Sequence, residues 1–448
     1  MFILADDLGY GEVGFQGQHT IRTPNIDRLA AEGMRFTNAY SGATVCAPSR
    51  STLMSGLHTG HSPVRANGGG NPLVPEDVTV AEVLKQAGYR TGCFGKWGLG
   101  DIGTAGVPWE QGFDEFFGYL HQVHAHYFYP EYLWKNGEKY PLEGNDRSVP
   151  AGLYSADVIH AQAMDFLHSH VRQSQALAAQ APDGEEVPFF LYLAYTPPHG
   201  EYQVPEESAA EYAGKFPEKP IEARGDHAAQ AEPYATYAGM ITRLDGYVGE
   251  VMAALDDLGV EKDTLVVFTS DNGPSPPNGD LELFDSNGPL RGRKGQLYEG
   301  GIRAPFAVRW PGRVPAGTSS DVLTSFWDFL PTAAELAGAP VPPGLDGISL
   351  VPTLTGQGEQ VPREYLYWEH PGADVSTYYR AARMANWKGI RNGADAALEL
   401  YDLERDPGES ADVAEANPDV ADRLAAILEE AHAAPRPHFQ KGWNPENE

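Results

Sequence analysis

The sequence predicts an α/β fold: a large central, mostly parallel sheet flanked by helices, followed by a smaller C-terminal α+β subdomain carrying an antiparallel sheet. Short apolar runs of strand length alternate with stretches of helical period over the first 350 residues, the pattern of strand–helix–strand crossovers. After about Leu350 that alternation gives way to closely spaced strand-like runs and one terminal helix. The 448 residues suit two units, 1–350 and 351–448, as well as the three that a domain size of roughly 150 would suggest. With 42% apolar and 11% aromatic residues, the chain can bury a large core, which excludes wholesale disorder.

Candidate strands lie at residues 2–5, 34–39, 90–95, 189–195, 264–269 and 305–309. The longest apolar run, 189–195, is far shorter than the roughly 18 residues of a membrane span, so none is expected. Thr79 caps a helix running through Lys85, which Gly88 stops. In residues 158–176, Ile159, Ala163, Phe166, Leu167 and Val171 share one side. Tyr237, Ile241, Leu244, Val248, Val251 and Leu255 are spaced alternately by four and three residues, a helix laid against the sheet. Residues 339–344 are Pro-rich and read as a connector. Beyond it, 364–369 and 381–391 read as antiparallel strands, 398–403 as a further strand, and 418–433 as an Ala-rich helix.

Lys and Arg number 32 against 62 Asp and Glu, a formal charge of −30. No nucleic-acid partner is expected, since phosphate backbones need a basic face. An anionic substrate is not excluded, because a local basic pocket outweighs a screened global field. Cys46 and Cys93 are the only cysteines, so the fold does not rest on a disulfide framework. The sequence opens directly on the first strand without a basic leader, and a removed export signal, a start set too late and a cytoplasmic location are the readings this leaves open.

The unusual polar residues cluster in one respect: each follows a predicted strand. Asp6 and Asp7 follow the first, Lys96 the third, His199 the fourth, and Asp271 and Asn272 the fifth. In open α/β sheets, ligands bind at the carboxyl ends of the strands. Taken singly, an Asp there is an ordinary helix cap, a Lys a solvated charge and a His a turn residue; their common placement points to a site. Asp6, Asp7, Asp271 and Asn272 are hard oxygen donors. Three carboxylates in one crevice repel unless a cation lies between them, and oxygen ligands favour Ca²⁺ or Mg²⁺ over zinc.

The segment Cys46-Ala47-Pro48-Ser49-Arg50 is followed by Leu53-Met54-Ser55-Gly56. Pro48 suits a first helical turn, which places Cys46 just before a helix N-terminus, where anions bind, with the permanent charge of Arg50 one turn on. An isolated Cys there would be read as a buried free thiol. The whole string, however, resembles the signature of the formylglycine-dependent type I sulfatases of the alkaline-phosphatase-like superfamily. Further segments are similar to that family along nearly the whole chain: Ala5-Asp6-Asp7-Leu8-Gly9-Tyr10-Gly11, Thr23-Pro24-Asn25-Ile26-Asp27-Arg28, Gly95-Lys96-Trp97-Gly98-Leu99-Gly100, Thr196-Pro197-Pro198-His199, Ser270-Asp271-Asn272-Gly273, and Arg293-Lys294-Gly295 through Glu299-Gly300-Gly301-Ile302-Arg303. Leu400-Tyr401-Asp402-Leu403 with Asp406-Pro407-Gly408-Glu409 is similar to its carboxy-terminal domain.

The resemblance implies that Cys46 is oxidised to formylglycine by a maturation enzyme and sits beside the metal with Asp6, Asp7, Asp271 and Asn272. The aldehyde's hydrate offers one hydroxyl to attack sulfur in line and a second whose proton loss expels sulfate. Arg50, Lys96 and Lys294 surround the sulfate oxygens, and His199 assisted by Lys294 serves the leaving oxygen. The chain departs from the family at Gly98, where many members carry His, and at Ser275, where relatives often carry His. The run His121-Gln122-Val123-His124-Ala125-His126 is expected to replace the missing imidazole, through His124 or His126. Residues 121–134, rich in His, Tyr and Trp, read either as a packed loop or as a sugar-binding wall including His121. Glu369 and His370 are expected to reach the same cleft. The resemblance thus implies an exo-acting, Ca²⁺-dependent sulfatase of carbohydrate substrates, of galactose or N-acetylgalactosamine 4-sulfate type, with periplasmic or secreted location favoured. Phosphoester or phosphonate hydrolysis in the same superfamily, and sugar binding without catalysis, are the alternatives.

Overall fold

The computed structural model describes residues 1–68, 71–180, 184, 186–224, 228–371 and 378–436. Its centre is the strand Phe2–Ala5, whose four residues are all buried. It pairs in parallel with Phe189–Ala194 on one side and Val266–Ser270 on the other. Arg90–Lys96 lies beyond Phe189–Ala194, and Glu115–Tyr119 beyond that, again parallel. These five strands carry near-continuous apolar runs because helices cover both faces. Alternation then sorts the side chains. Ile3, Ala5, Leu191 and Leu193 face Ile26, Ile159, Phe166, Ile241 and Val248 of the helices Pro24–Ala31, Ser155–Ala178 and Pro233–Asp257. Phe2, Leu4, Phe190 and Tyr192 face Leu53, Val80, Leu84 and Leu330 of Cys46–Ser55, Val80–Gln86 and Phe329–Leu336. The period of two along each strand makes the two layers possible.

The sheet reaches ten strands. On one edge Ala307–Arg309 is antiparallel to Val266–Ser270, then Met34–Phe36 is antiparallel to it, and Thr318–Ser320 closes the edge. On the other edge, Glu115–Tyr119 is followed by the hairpin Tyr132–Lys135 and Glu138–Pro141. Only the end of the aromatic stretch 121–134, read as a packed loop or a sugar-binding wall, enters that hairpin; its signal is Asn136-Gly137, both at positive φ (45° and 88°), the two-residue turn whose twist suits a hairpin. Residues 34–39 form two strands, Met34–Phe36 and Ala39–Tyr40, the second pairing with Thr324–Ser325 instead. Thr79 caps Val80–Gln86 in a full capping box with Glu82, worth about 1 kcal/mol.

The C-terminal sheet is wholly antiparallel, in the order Leu366–Pro371, Tyr378–Met384, Trp387–Arg391, Glu399–Asp402. Residues 381–391 are thus two strands, because Met384 pairs with Trp387 across a turn at Ala385, φ 52°. The helix Pro418–Glu430 packs Leu424, Ile427 and Leu428 on Tyr367, Ala382 and Leu400. An aromatic seam of Tyr40, Trp327 and Trp368 joins this unit to the two-stranded pair of Ala39–Tyr40 and Thr324–Ser325 and the turn that follows it. Beside it lies a buried charge cluster: Lys388 Nζ donates to Glu299 Oε1 and lies the same 2.9 Å from Glu409 Oε1, while Tyr40 OH and Arg303 Nη1 reach Glu299 Oε2 at 2.7 and 3.1 Å. Burial works against the charge on Glu299, but Lys388, Arg303 and Arg383 hold its pKa down at about 2, whereas burial leaves Glu409 up at about 7. Lys388→Met is expected to destabilise the protein by about 3–5 kcal/mol, because two carboxylates lose their shared cation inside the fold. Denaturant unfolding checks this; an unchanged midpoint and slope would show that the cluster carries no stability.

Candidate active site

Four adjacent parallel strands deliver the site. Ala5 is in register with Ser270, Leu4 with Ala194, and Ala194 with Gly95. The next residues, Asp6 and Asp7, Asp271 and Asn272, and Lys96 therefore emerge side by side, and all five are buried. Asp7 takes φ 67°, a left-handed conformation Asp tolerates. Its amide donates to Asp271 Oδ1 at 3.2 Å, and that of Leu8 to Ser270 Oγ at 2.9 Å. His199 arrives by the turn after Phe189–Ala194, its amide bonded to Thr196 O. Lys294 comes from a loop tied by its own amide to Pro274 O and by Gly295 N to Thr44 O.

Cys46 is the first residue of the helix Cys46–Ser55, not the residue before it, and all ten residues are buried. A helix apolar or paired all round shows no amphipathic stripe, which is why the motif and not the period located it. Val45 offers no side-chain cap. Instead Asn67, from a separate loop, accepts the amide of Ala47 at Oδ1, 2.9 Å. Pro48 occupies a first-turn position where no donor is needed.

The charges interlock. Lys96 Nζ donates to Asp6 Oδ2 at 2.7 Å. Arg50 Nε and Nη2 donate to Asp271 Oδ2 at 3.1 and 2.8 Å, Nη2 lies 3.4 Å from Asp6 Oδ2, and Nη1 donates to the Lys96 carbonyl. Lys294 Nζ donates to Asp7 Oδ2 at 2.7 Å and lies 3.1 Å from His199 Nε2. His199 Nδ1 is bonded to the Gly200 carbonyl, so Nδ1 carries the proton and Nε2 faces the lysine. The Cys46 thiol donates to Asp6 Oδ1 at 3.3 Å. Burial, then the Asp6 charge, pushes that thiol's pKa far up, so it is no thiolate nucleophile. Burial opposes ionisation of Asp6, but Lys96, His199 and Arg50 hold it well below the carboxylate range. Burial and the charge of Asp6 push Asp271 up to about 6.

The donor set fits a hard divalent cation. Asp6, Asp7, Cys46 and His199 offer ligand atoms all within 4.8 Å of one another. Asn272 Nδ2 donates to Asp7 Oδ1 at 2.7 Å, which leaves its Oδ1 a buried acceptor without a donor. Carboxylate and amide oxygens are the ligands Ca²⁺ and Mg²⁺ take.

The histidine run divides. His126 stacks on His199, ring centroids 4.6 Å apart, and so joins the site. His124 is buried among Tyr119 and Tyr132, ring to ring, and faces the aromatic core rather than the cleft. His121 Nδ1 accepts the amide of Val123, and Nε2 lies 4.0 Å from Asp101 Oδ2. Glu369 is buried and fully engaged, accepting from Arg65 Nη1 (3.0 Å), Tyr367 OH (2.7 Å) and His432 Nδ1 (2.7 Å). It ties the C-terminal unit to the loop carrying Arg65 and Asn67. His370 is half-buried at the end of Leu366–Pro371. Sequence reading missed Asn67 and Gln122, whose carboxamides carry no pattern; only the helix it caps identifies Asn67, and only the space beside Gly98 identifies Gln122.

A family model described as "Sulfatase" matches residues 1–339, and one described as "N-sulphoglucosamine sulphohydrolase, C-terminal" matches residues 293–434. Human arylsulfatase A is 36% identical over 95% of this chain and 86% of its own length. An N-acetylgalactosamine-6-O-sulfatase of Bacteroides thetaiotaomicron is 30% identical over 96% of this chain and 92% of its own. Among solved structures, Ps i-CgsB in complex with k-i-k-neocarrahexaose superposes with a TM-score of 0.79 at 30% identity, covering 97% of this chain and 93% of that one. The phosphonate monoester hydrolase of Agrobacterium radiobacter shares the fold, TM-score 0.65 at 22% identity, over 96% of this chain and 94% of its own.

Proposed function

We propose that this chain, which belongs to the sulfatase family and is a sulfuric ester hydrolase, removes sulfate from galactose- or N-acetylgalactosamine-type sugars through a matured Cys46 and a divalent cation, Ca²⁺ in the first instance. The observation that carries the reading is the Cys46 side chain at a buried helix N-terminus, against Asp6 and within the ring of Arg50, Lys96 and Lys294. The carbohydrate assignment draws on a relative named for N-acetylgalactosamine 6-sulfate and a neighbour solved with a neocarrahexaose.

Asp6, Asp7, Asp271 and Asn272 would hold the cation, which supplies Lewis acidity toward a sulfate oxygen. Converted to formylglycine, position 46 supplies a hydrated aldehyde, and so a nucleophile that can also release its product. The rest is done by side chains already in place. Arg50, locked by Asp271 and the Lys96 carbonyl, and Lys96, locked by Asp6, present fixed positive charge where negative charge builds up on sulfate, so no reorganisation is needed during reaction. Lys294 Nζ, paired with Asp7, points a proton at His199 Nε2 3.1 Å away, a route for a proton to the leaving oxygen. Asn67 keeps the helix start, and so residue 46, in position.

Matched nitrophenyl sulfate and nitrophenyl phosphate test the chemistry, and a panel of 4- and 6-sulfated galactosides and N-acetylgalactosamines tests the substrate. Sulfate is expected to be preferred at least tenfold in kcat/KM, over about 1.4 kcal/mol. A preference for phosphate would move the enzyme to the phosphoester branch. Peptide mass spectrometry of active protein should show an aldehyde or its hydrate at position 46; a free thiol in fully active material would refute the nucleophile.

A further inference from the structure

Gly98 has φ 79°, and a Cβ placed there would lie 2.0 Å from Gln122 Nε2. The carboxamide of Gln122 therefore stands in the space that a side chain at position 98 would fill. Gln122 is 5% exposed, and its Nε2 has no hydrogen-bond partner. An unsatisfied buried donor costs about 1–3 kcal/mol, a cost that an acceptor entering the space beside it would recover.

The surroundings define what that is. Gln122 and Gly98 line a recess of about 10 Å³ with Val64, Ala66, Leu99 and Asp101, space for about one oxygen-sized group. One wall is the loop whose Asn67 holds the start of the Cys46 helix. The other begins two residues after Lys96, which holds Asp6. The recess thus adjoins the site of sulfur chemistry. A sulfate oxygen there would face the carboxylate of Asp101, and the lining, which also includes Asn71 and His121, holds no lysine or arginine to offset that repulsion. An uncharged oxygen finds a donor and no repulsion.

We propose that Gln122 is a specificity-determining residue, whose carboxamide N–H donates to the sugar hydroxyl next to the sulfate ester, in the place a side chain at position 98 would otherwise take. This rests on the carbohydrate reading above.

The test compares wild type, Gln122→Met (similar length, no donor) and Gln122→Glu on monosulfated galactosides and on deoxy analogues that each lack one ring hydroxyl. Wild type should lose at least about tenfold in kcat/KM when the hydroxyl next to the ester is removed, since a site built to bond a hydroxyl rejects the analogue lacking it. Gln122→Met should lose less than about twofold from the same removal, and on the intact sugar should fall to the wild-type value for the deoxy analogue. Gln122→Glu, an acceptor that also repels the ester, should fall at least as far on the intact sugar, and it serves as the test if the Met variant melts early. The assignment is overturned if the variants keep full discrimination at every position, or if they lose equally on intact and deoxy sugars, which would place Gln122 on the sulfate or in a purely structural role. A wild-type enzyme that cleaves nitrophenyl sulfate but none of the sugars would instead overturn the carbohydrate reading, and this assignment with it.

Discussion

Cys46→Ala is expected to abolish turnover, lowering kcat/KM by at least about 10⁴, a loss of over 5 kcal/mol in transition-state stabilisation. The fold should hardly notice. The side chain is small and its thiol makes one weak contact, to Asp6 at 3.3 Å, so a melting shift of no more than a few degrees is expected. Cys46→Ser is the sharper variant. A serine offers one hydroxyl, enough to displace the alcohol from sulfur but without the second hydroxyl whose proton loss releases sulfate. One equivalent of alcohol should appear, after which the enzyme stops with sulfate esterified to Oγ, visible as a mass increase on the peptide carrying position 46. Steady multiple turnover by either variant would rule out position 46 as the nucleophile.

Asp271→Asn carries the next largest effect. Asp271 faces Arg50 through Oδ2 and the amide of Asp7 through Oδ1, and the substitution keeps its shape while removing a charge. Bound cation measured on the purified protein should fall well below one equivalent, and kcat/KM should fall by at least about 10³, or ~4 kcal/mol. Stability should fall as well, because Arg50, fully buried, keeps only Asp6 at 3.4 Å as an ion partner. The two losses are separable: excess Ca²⁺ should restore activity in part but not the lost stability at low Ca²⁺. Full activity together with a full complement of metal would remove Asp271 from the site.

Local chemistry made much of this legible. The runs at 2–5, 90–95 and 189–195 read as buried strands, and Asp6-Asp7, Lys96 and His199 following them mark a site because parallel sheets bind at their carboxyl edge. Thr79 with Glu82 spells a capping box before any coordinates. The Asn136-Gly137 turn is equally local, a two-residue hairpin signal. Splits such as that at Ala385 were less accessible, since a continuous run of strand-forming residues does not say where the chain turns back.

By itself the sequence determined the α/β class, the family signature at Cys46 and which hard donors and cations the chain possesses, because these depend on residue type and spacing along a few turns of backbone. Only the tertiary structure decided which of His121, His124 and His126 stacks on His199, that Glu369 serves as a tie to Arg65, that Asn67 caps the Cys46 helix, and that Gln122 stands beside Gly98. The reason is geometric. A side chain's role depends on partners far away in sequence: His126 meets His199 only because the turn after Phe189–Ala194 brings it there. Likewise, the missing Cβ of Gly98 becomes meaningful only when Gln122 is found occupying its space.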